Sequence, residues 1–206
     1  KWKDALKYYG RLINKPKSRH YLFSLYKVAW CRYRLSDTRA ALKGLEQVYM
    51  ESRRAKEEGG EEKGKVSSIR LASEALRDIV PFYSEIGDYQ QAERYFESLV
   101  GGGKPANKML DRLAYIYANR GNIEAARYLF HRLIEAEPLS PKAFDYQYQI
   151  VVNYSSAGKG KIFKTELYNW ITNYSPESEW ARTNKKDEAL LATAYESREK
   201  TLRNYV

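Results

Sequence analysis

Gly87-Asp88-Tyr89-Gln90-Gln91-Ala92, followed by Phe96 and Leu99, returns 34 residues later as Gly121-Asn122-Ile123-Glu124-Ala125-Ala126, followed by Phe130 and Leu133. The word is a small residue, an acid or its amide, three variable positions, alanine, and then large apolar residues. An earlier copy is Ser36-Asp37-Thr38-Arg39-Ala40-Ala41 with Leu45 and Val48. A partial one is Asp4-Ala5 with Tyr9 and Leu12, and a degraded one begins at Gly158 with Phe163, Leu167 and Trp170. A period of roughly 20 to 50 residues marks a chain of stacked supersecondary units.

Ahead of each turn lie apolar residues three and four apart: Leu25, Val28 and Ala29; Leu76, Ile79, Val80 and Tyr83; Leu110, Leu113, Ala114 and Tyr117; Ile150, Val151 and Tyr154. That spacing places them on one helical face. The glycine is expected to stop the helix in the left-handed conformation, and the alanine to sit where a second helix crosses the first closely. Each unit is then a helical hairpin with one apolar face, buried by stacking on its neighbours.

Leu113-Ala114, Tyr117, Gly121, Ala126, Phe130 and Pro138 resemble the tetratricopeptide repeat position by position. The resemblance implies an all-α chain, an α-solenoid of tetratricopeptide helical hairpins with a C-terminal capping helix. It divides 1–206, as one solenoid segment, into a partial repeat at 1–17, repeats at 21–50, 69–102 and 107–140, a degenerate repeat at 141–175 and a capping helix at 178–206. The surplus at 51–68, ESRRAKEEGGEEKGKVSS, is dense in charge, holds three glycines and reads as an exposed loop insertion, either throughout or with its first turns continuing the helix before it. Pro81 predicts a kink or a break in its helix. The chain opens on a lysine with no signal peptide, so it reads as a piece of a longer protein.

The 206 residues carry 36 Lys and Arg against 26 Asp and Glu, a net charge of +10. Residues 1–72 hold 18 of the cations and 8 of the acids, so the excess is local to the first third. Such an end suits an acidic partner, nucleic acid or anionic lipid.

Little in the chain suggests catalysis. Two histidines, His20 and His131, lie 111 residues apart, and the single cysteine, Cys31, excludes an internal disulfide framework. Gly101-Gly102-Gly103-Lys104 lacks the rest of a phosphate-binding loop and reads as an inter-repeat turn. No catalytic residue, metal ligand or cofactor is expected; a convergent set of polar groups around His131 would point the other way.

Tetratricopeptide solenoids line a concave groove with the first helix of each hairpin, and the resemblance carries that role to Phe23, Tyr26, Lys27, Trp30, Tyr33 and Arg34. Four aromatics and two cations on one stripe suit a peptide held by ring packing and charge-assisted hydrogen bonds. The core of the stack is an equally open reading of the same aromatics. In the later repeat the groove positions include Lys108, Arg112, Tyr115 and Asn119. Lys108 and Arg112 match two positions of the family's carboxylate clamp, but Asp78, Tyr26 and Trp30 replace others. The groove positions Glu74, Asp78 and Glu85 add acidity, so the sign changes along the surface.

The expected function is a non-catalytic scaffold binding a protein or peptide partner, acidic if the basic end receives it. The alternative is nucleic-acid binding by the basic third, with Tyr26, Trp30 and Tyr33 stacking on bases. AWCRYRLSD (29–37), EALRDIVPFYSEIGDYQQAERYF (74–96) and YSPESEWA (174–181) are similar to long tetratricopeptide proteins of Gram-negative cell envelopes, especially those associated with deltaproteobacterial gliding motility. That resemblance implies a periplasmic or outer-membrane-associated place and leaves the cytoplasm open.

Overall fold

The structure is a computed structural model that describes residues 1–57 and 62–205. The described residues form eleven α-helices and no strand. They gather into two compact units, Lys1–Met109 and Leu110–Val206, divided within one helix.

The first unit holds α1 (Trp2–Leu12), α2 (Tyr21–Arg34), α3 (Thr38–Glu57), α4 (Glu62–Ile86), α5 (Ala92–Val100) and the start of α6 (Gly103–Asn119). The repeated word explains the corners. Asp37 accepts the backbone N–H of Ala40 at 3.2 Å, and Asp88 that of Gln90 at 2.9 Å. Asp37 thus caps α3, and Asp88 caps the short 3-10 turn Tyr89–Gln91 that leads into α5, each satisfying a backbone donor that has no partner within its helix. The alanines Ala41 and Ala92 are fully buried, as a close crossing requires. Gly101, Gly102 and Gly103 all have positive φ, so the triple glycine is the expected turn.

One glycine departs from its expected role. Gly87 is not left-handed, whereas Ser36, at the equivalent corner, is (φ 64°). The ring of Tyr83 fills the space that a Cβ at position 87 would need. That ring is fixed, because its hydroxyl donates to the Asp88 carbonyl at 2.8 Å and it stacks on Tyr95 at 4.6 Å. Overpacking predicts that Gly87→Ala destabilises the first unit by about 1 to 3 kcal/mol, read as a lowered thermal midpoint. An unchanged midpoint would show that the ring moves aside freely.

Two further expectations change in part. In the stretch 51–68, α3 continues through Glu57, the second of the two readings given for it, but α4 already starts at Glu62, with residues 58–61 outside the described residues. Glu, Lys, Arg and Ala are strong helix formers, and their propensity extends both helices where no apolar face requires it. At Pro81 no break occurs, and α4 runs through. Ile79, Val80, Phe82 and Tyr83 are buried on either side of the proline, and their packing outweighs one missing backbone bond.

The second unit contains the rest of α6, α7 (Ile123–Ala136), α8 (Pro141–Ser156), α9 (Gly160–Asn173), α10 (Glu179–Thr183) and α11 (Glu188–Tyr205). Gly121 and Gly158 adopt φ of 76° and 67°, and Asn122 caps α7. Where the degraded repeat has Phe163 near the alanine position, the ring meets Tyr205 of α11 at 4.9 Å. The expected single capping helix at 178–206 is two helices. Asn184 donates to the carbonyls of Leu139 and Trp180, and Asp187 then caps α11 through the Leu190 N–H.

Candidate functional site

The α2 stripe forms one wall of a cleft of about 400 Å³ in the first unit. Tyr26, Lys27, Trp30 and Arg34 come from α2, and Trp2, Ala5 and Tyr9 face them from α1. Trp2 is 43% exposed. The Arg34 guanidinium lies 5.7 Å from the Trp2 ring centre and 6.0 Å from that of Trp30. Lys27 stands 5.0 Å over Phe23 and 5.7 Å over Tyr26, and Phe23 meets Tyr9 edge-on at 6.3 Å. Both cations are within cation–π range of rings, which orients them without neutralising their charge.

The far edge of the stripe turns toward α4. Tyr26 donates to Asp78 Oδ2 at 2.6 Å, and Trp30 Nε1 donates to the same oxygen at 2.9 Å. Burial and the Asp78 hydrogen bond push the Tyr26 hydroxyl up to about 12. Tyr33 donates to Glu85, and its ring stacks on Phe82 at 3.9 Å with an interplanar angle of 11°. Groove and core therefore coexist on one helix: Phe23, Lys27 and Arg34 face the cleft or its rim, Tyr33 is engaged with α4, and Tyr26 and Trp30 belong to both. Cys31 also lines the cleft, but it is buried and burial pushes its thiol pKa up, so it serves as a small apolar residue.

Lys108, Arg112, Tyr115 and Asn119 follow one another along α6. Lys108, Arg112 and Asn119 are exposed. Tyr115 is half-buried, its ring edge-on to Phe130 at 5.1 Å and its hydroxyl pKa raised by burial and then by Asp111 and Asp145. Asp111, the residue before Arg112, accepts Lys142 Nζ at 3.4 Å. An anion at Arg112 would meet that acidic neighbour.

Polar groups do converge at His131. Glu166, only 1% exposed, accepts from Arg127 Nε and from Gln147 Nε2 at 2.6 Å, and its Oε1 lies 3.1 Å from His131 Nε2. Burial alone would raise the Glu166 pKa, but His131, Arg127 and Gln147 outweigh it and hold the carboxyl near 2. Each carboxylate oxygen has a partner, so the cluster is a tie between α7, α8 and α9. No signal for it was drawn from the sequence, although Glu166 beside Leu167, in a helix with Phe163 and Trp170, stands on an apolar face. Trp2, Ala5 and Tyr9 were also missed as cleft residues, although the Asp4-Ala5 step marks their helix. Among the described residues no group of three or more His, Cys, Asp or Glu could hold a metal ion, and no helix is long and apolar enough to cross a membrane.

These features define a chain of antiparallel helical hairpins with an aromatic and cationic cleft at its first pair. Residues 23–49 and 109–140, within the α2–α3 and α6–α7 hairpins, match the family model described as tetratricopeptide repeat. Among solved structures, nearly identical TPR-like repeats from Podosopora anserina are similar at 16% identity over 86% of this chain and 90% of that one, with a TM-score of 0.39. A tetratricopeptide repeat protein from Parabacteroides merdae ATCC 43184 is similar at 16% identity over 97% and 86%, with a TM-score of 0.31. No curated protein matches the chain.

Proposed function

We propose that this chain is a protein–protein interaction scaffold that holds a peptide or partner protein against the first helices of its hairpins, chiefly α2, within a bacterial cell-envelope assembly. The α1–α2 cleft carries this reading, because it joins apolar ring surface with two oriented cations. Such a surface suits an acidic partner that also has apolar side chains. The envelope setting, with a periplasmic or outer-membrane-associated place and a link to gliding motility, rests on the resemblance of 29–37, 74–96 and 174–181 alone. Nucleic acid fits less well, since Trp30 and Tyr33 meet Phe82 and donate, with Tyr26, to carboxylates instead of offering bare faces to bases.

Arg34→Glu is the clean test, because the side chain is exposed and its loss leaves the α2–α4 hydrogen bonds in place. Reversing that charge should weaken capture of the native partner by about tenfold or more, with the thermal midpoint unchanged. Equal binding by parent and variant would refute the cleft assignment. Trp30→Ala is a poorer probe, since it also strips a donor from Asp78.

A further inference from the structure

Two corners of the second unit share a pattern. Leu139-Ser140-Pro141, between α7 and α8, returns as Tyr174-Ser175-Pro176, between α9 and α10. Trp180 Nε1 donates to the Ser140 carbonyl at 2.8 Å and Asn184 Nδ2 to the Leu139 carbonyl at 2.9 Å, so α10 is tied to the first corner. Between the corners lies a pocket of about 320 Å³, near the lower limit of small-ligand sites. Ile134, Pro138 and Leu139 line one side of it, and Thr172, Glu179 and Trp180 the other. All of its lining falls between residues 134 and 180, within elements of the second unit.

The chain carries a net charge of +10, yet these corners are acidic. Residues 133–141 hold Glu135 and Glu137, residues 171–181 hold Glu177 and Glu179, and neither stretch has a lysine, arginine or histidine. All four acids are exposed; Glu135 pairs with Arg132, and Glu179 lines the pocket. The helices α7 and α9 also end here, and neither has a basic residue in its last turn. The partial negative charge of their carbonyl ends therefore adds to that of the acids. The N-terminus of α10 reaches the same place, but Ser178 caps it and its first-turn acid is Glu179 itself. An apolar wall in a negative field suits a side chain with an aliphatic stem and a cationic head.

We propose that this pocket receives an arginine from an extended, basic segment of a protein partner, its stem on Ile134, Pro138 and Leu139 and its guanidinium on Glu179. The pocket admits a side chain rather than a helix. Arginine suits it better than lysine, because a planar guanidinium takes a carboxylate bidentately and keeps further N–H groups for helix-end carbonyls. The site goes beyond the scaffold reading at α2: its residues are different, and its ligand has the opposite charge.

The test is a titration of the 206-residue chain with the peptide acetyl-Gly-Leu-Arg-Leu-Gly-amide, followed by NMR at the Trp180 indole N–H and the Thr172 and Asn173 amides. One comparator carries citrulline in place of arginine, which keeps the shape and removes the charge, and another carries glutamate. The arginine peptide should shift those signals and bind at least about tenfold more tightly than either comparator. Glu179→Gln should remove at least about tenfold of that affinity. Thr172→Trp, which fills the pocket mouth from α9 and leaves α10 intact, should do the same, with the far-ultraviolet circular dichroism of both variants preserved. Equal binding of the citrulline or glutamate peptide overturns the proposal, as does full affinity in both variants. No shift at about 1 mM arginine peptide likewise overturns it. Signals at Thr172 and Asn173 that move with protein concentration alone would make a second copy the occupant and also overturn it. Each of these outcomes leaves the α2 cleft to be judged separately by Arg34→Glu.

Discussion

Trp180→Ala should cost the second unit about 3 to 5 kcal/mol, among the largest single losses available in the chain. Trp180 is 1% exposed and stacks on Phe144 at 5.6 Å, with Tyr174 edge-on at 5.4 Å. Its Nε1 donates to the Ser140 carbonyl at 2.8 Å, and Asn184, at the end of the same short helix, donates to the Leu139 carbonyl. Truncation removes the ring from a cluster that includes Phe144, Trp170 and Tyr174, leaves a cavity, and strips the part-buried Ser140 carbonyl of this donor. A helix of five residues has no stability of its own, so α10 should detach with the anchor. Urea unfolding followed by circular dichroism reads the loss, and a change below about 1 kcal/mol would show that α10 anchors nothing. Trp170→Phe gives the contrast. Trp170 Nε1 is buried without a hydrogen-bond partner, so phenylalanine there removes an unsatisfied donor and should cost less than Trp180→Phe.

The same contrast shows what the sequence carries and what it does not. The Gly-Asp and Gly-Asn words marked hairpin corners correctly because every part of them acts locally: a stop, a cap and a close crossing within a few residues. The groove stripe on α2 was legible as a face, since helical spacing decides which side chains align. Its partners were not. That Asp78 accepts from Tyr26 and Trp30, or that Tyr33 lies on Phe82, depends on contacts made some fifty residues away. The 51–68 stretch was legible in part: the continuation of α3 followed from Glu, Arg, Ala and Lys, whereas charge and glycine signalled a loop where α4 already starts at Glu62. Gly87 misled differently: the residue was read for its backbone freedom, and the structure uses its missing side chain. The hairpin it ends, α4–α5, lies outside the two stretches that match the repeat family, although its word is among the clearest in the chain.

Glu166 should make the second unit acid-sensitive in a defined window. Its carboxyl has an ordinary pKa of 4.5 and is held at about 2 in the fold, with His131, Arg127 and Gln147 outweighing the upward push of burial. A group depressed in the folded state binds its proton more readily when unfolded, so its stabilisation is fully present above the unfolded value. That stabilisation is lost as pH falls from about 4.5 toward about 2. A shift of this size corresponds to stabilisation on the order of 3 kcal/mol for a carboxylate this buried. Glu166→Gln keeps the shape and removes the charge. At pH 7 it should be less stable than the parent by a few kcal/mol, at the lower end of the range for a broken buried pair, because Arg127 and His131 retain some access to water. As the pH is lowered through the window, parent and variant should converge. Glu124, whose carboxyl is held down chiefly by Lys159 and Tyr154 and further by Arg127, is present in both proteins, so the difference between them reports Glu166 together with what its loss changes at Arg127. Urea unfolding of the pair at a series of pH values measures that difference. A gap that stayed constant down to the bottom of the window would mean that Glu166 is held by shape and hydrogen bonding rather than by its charge.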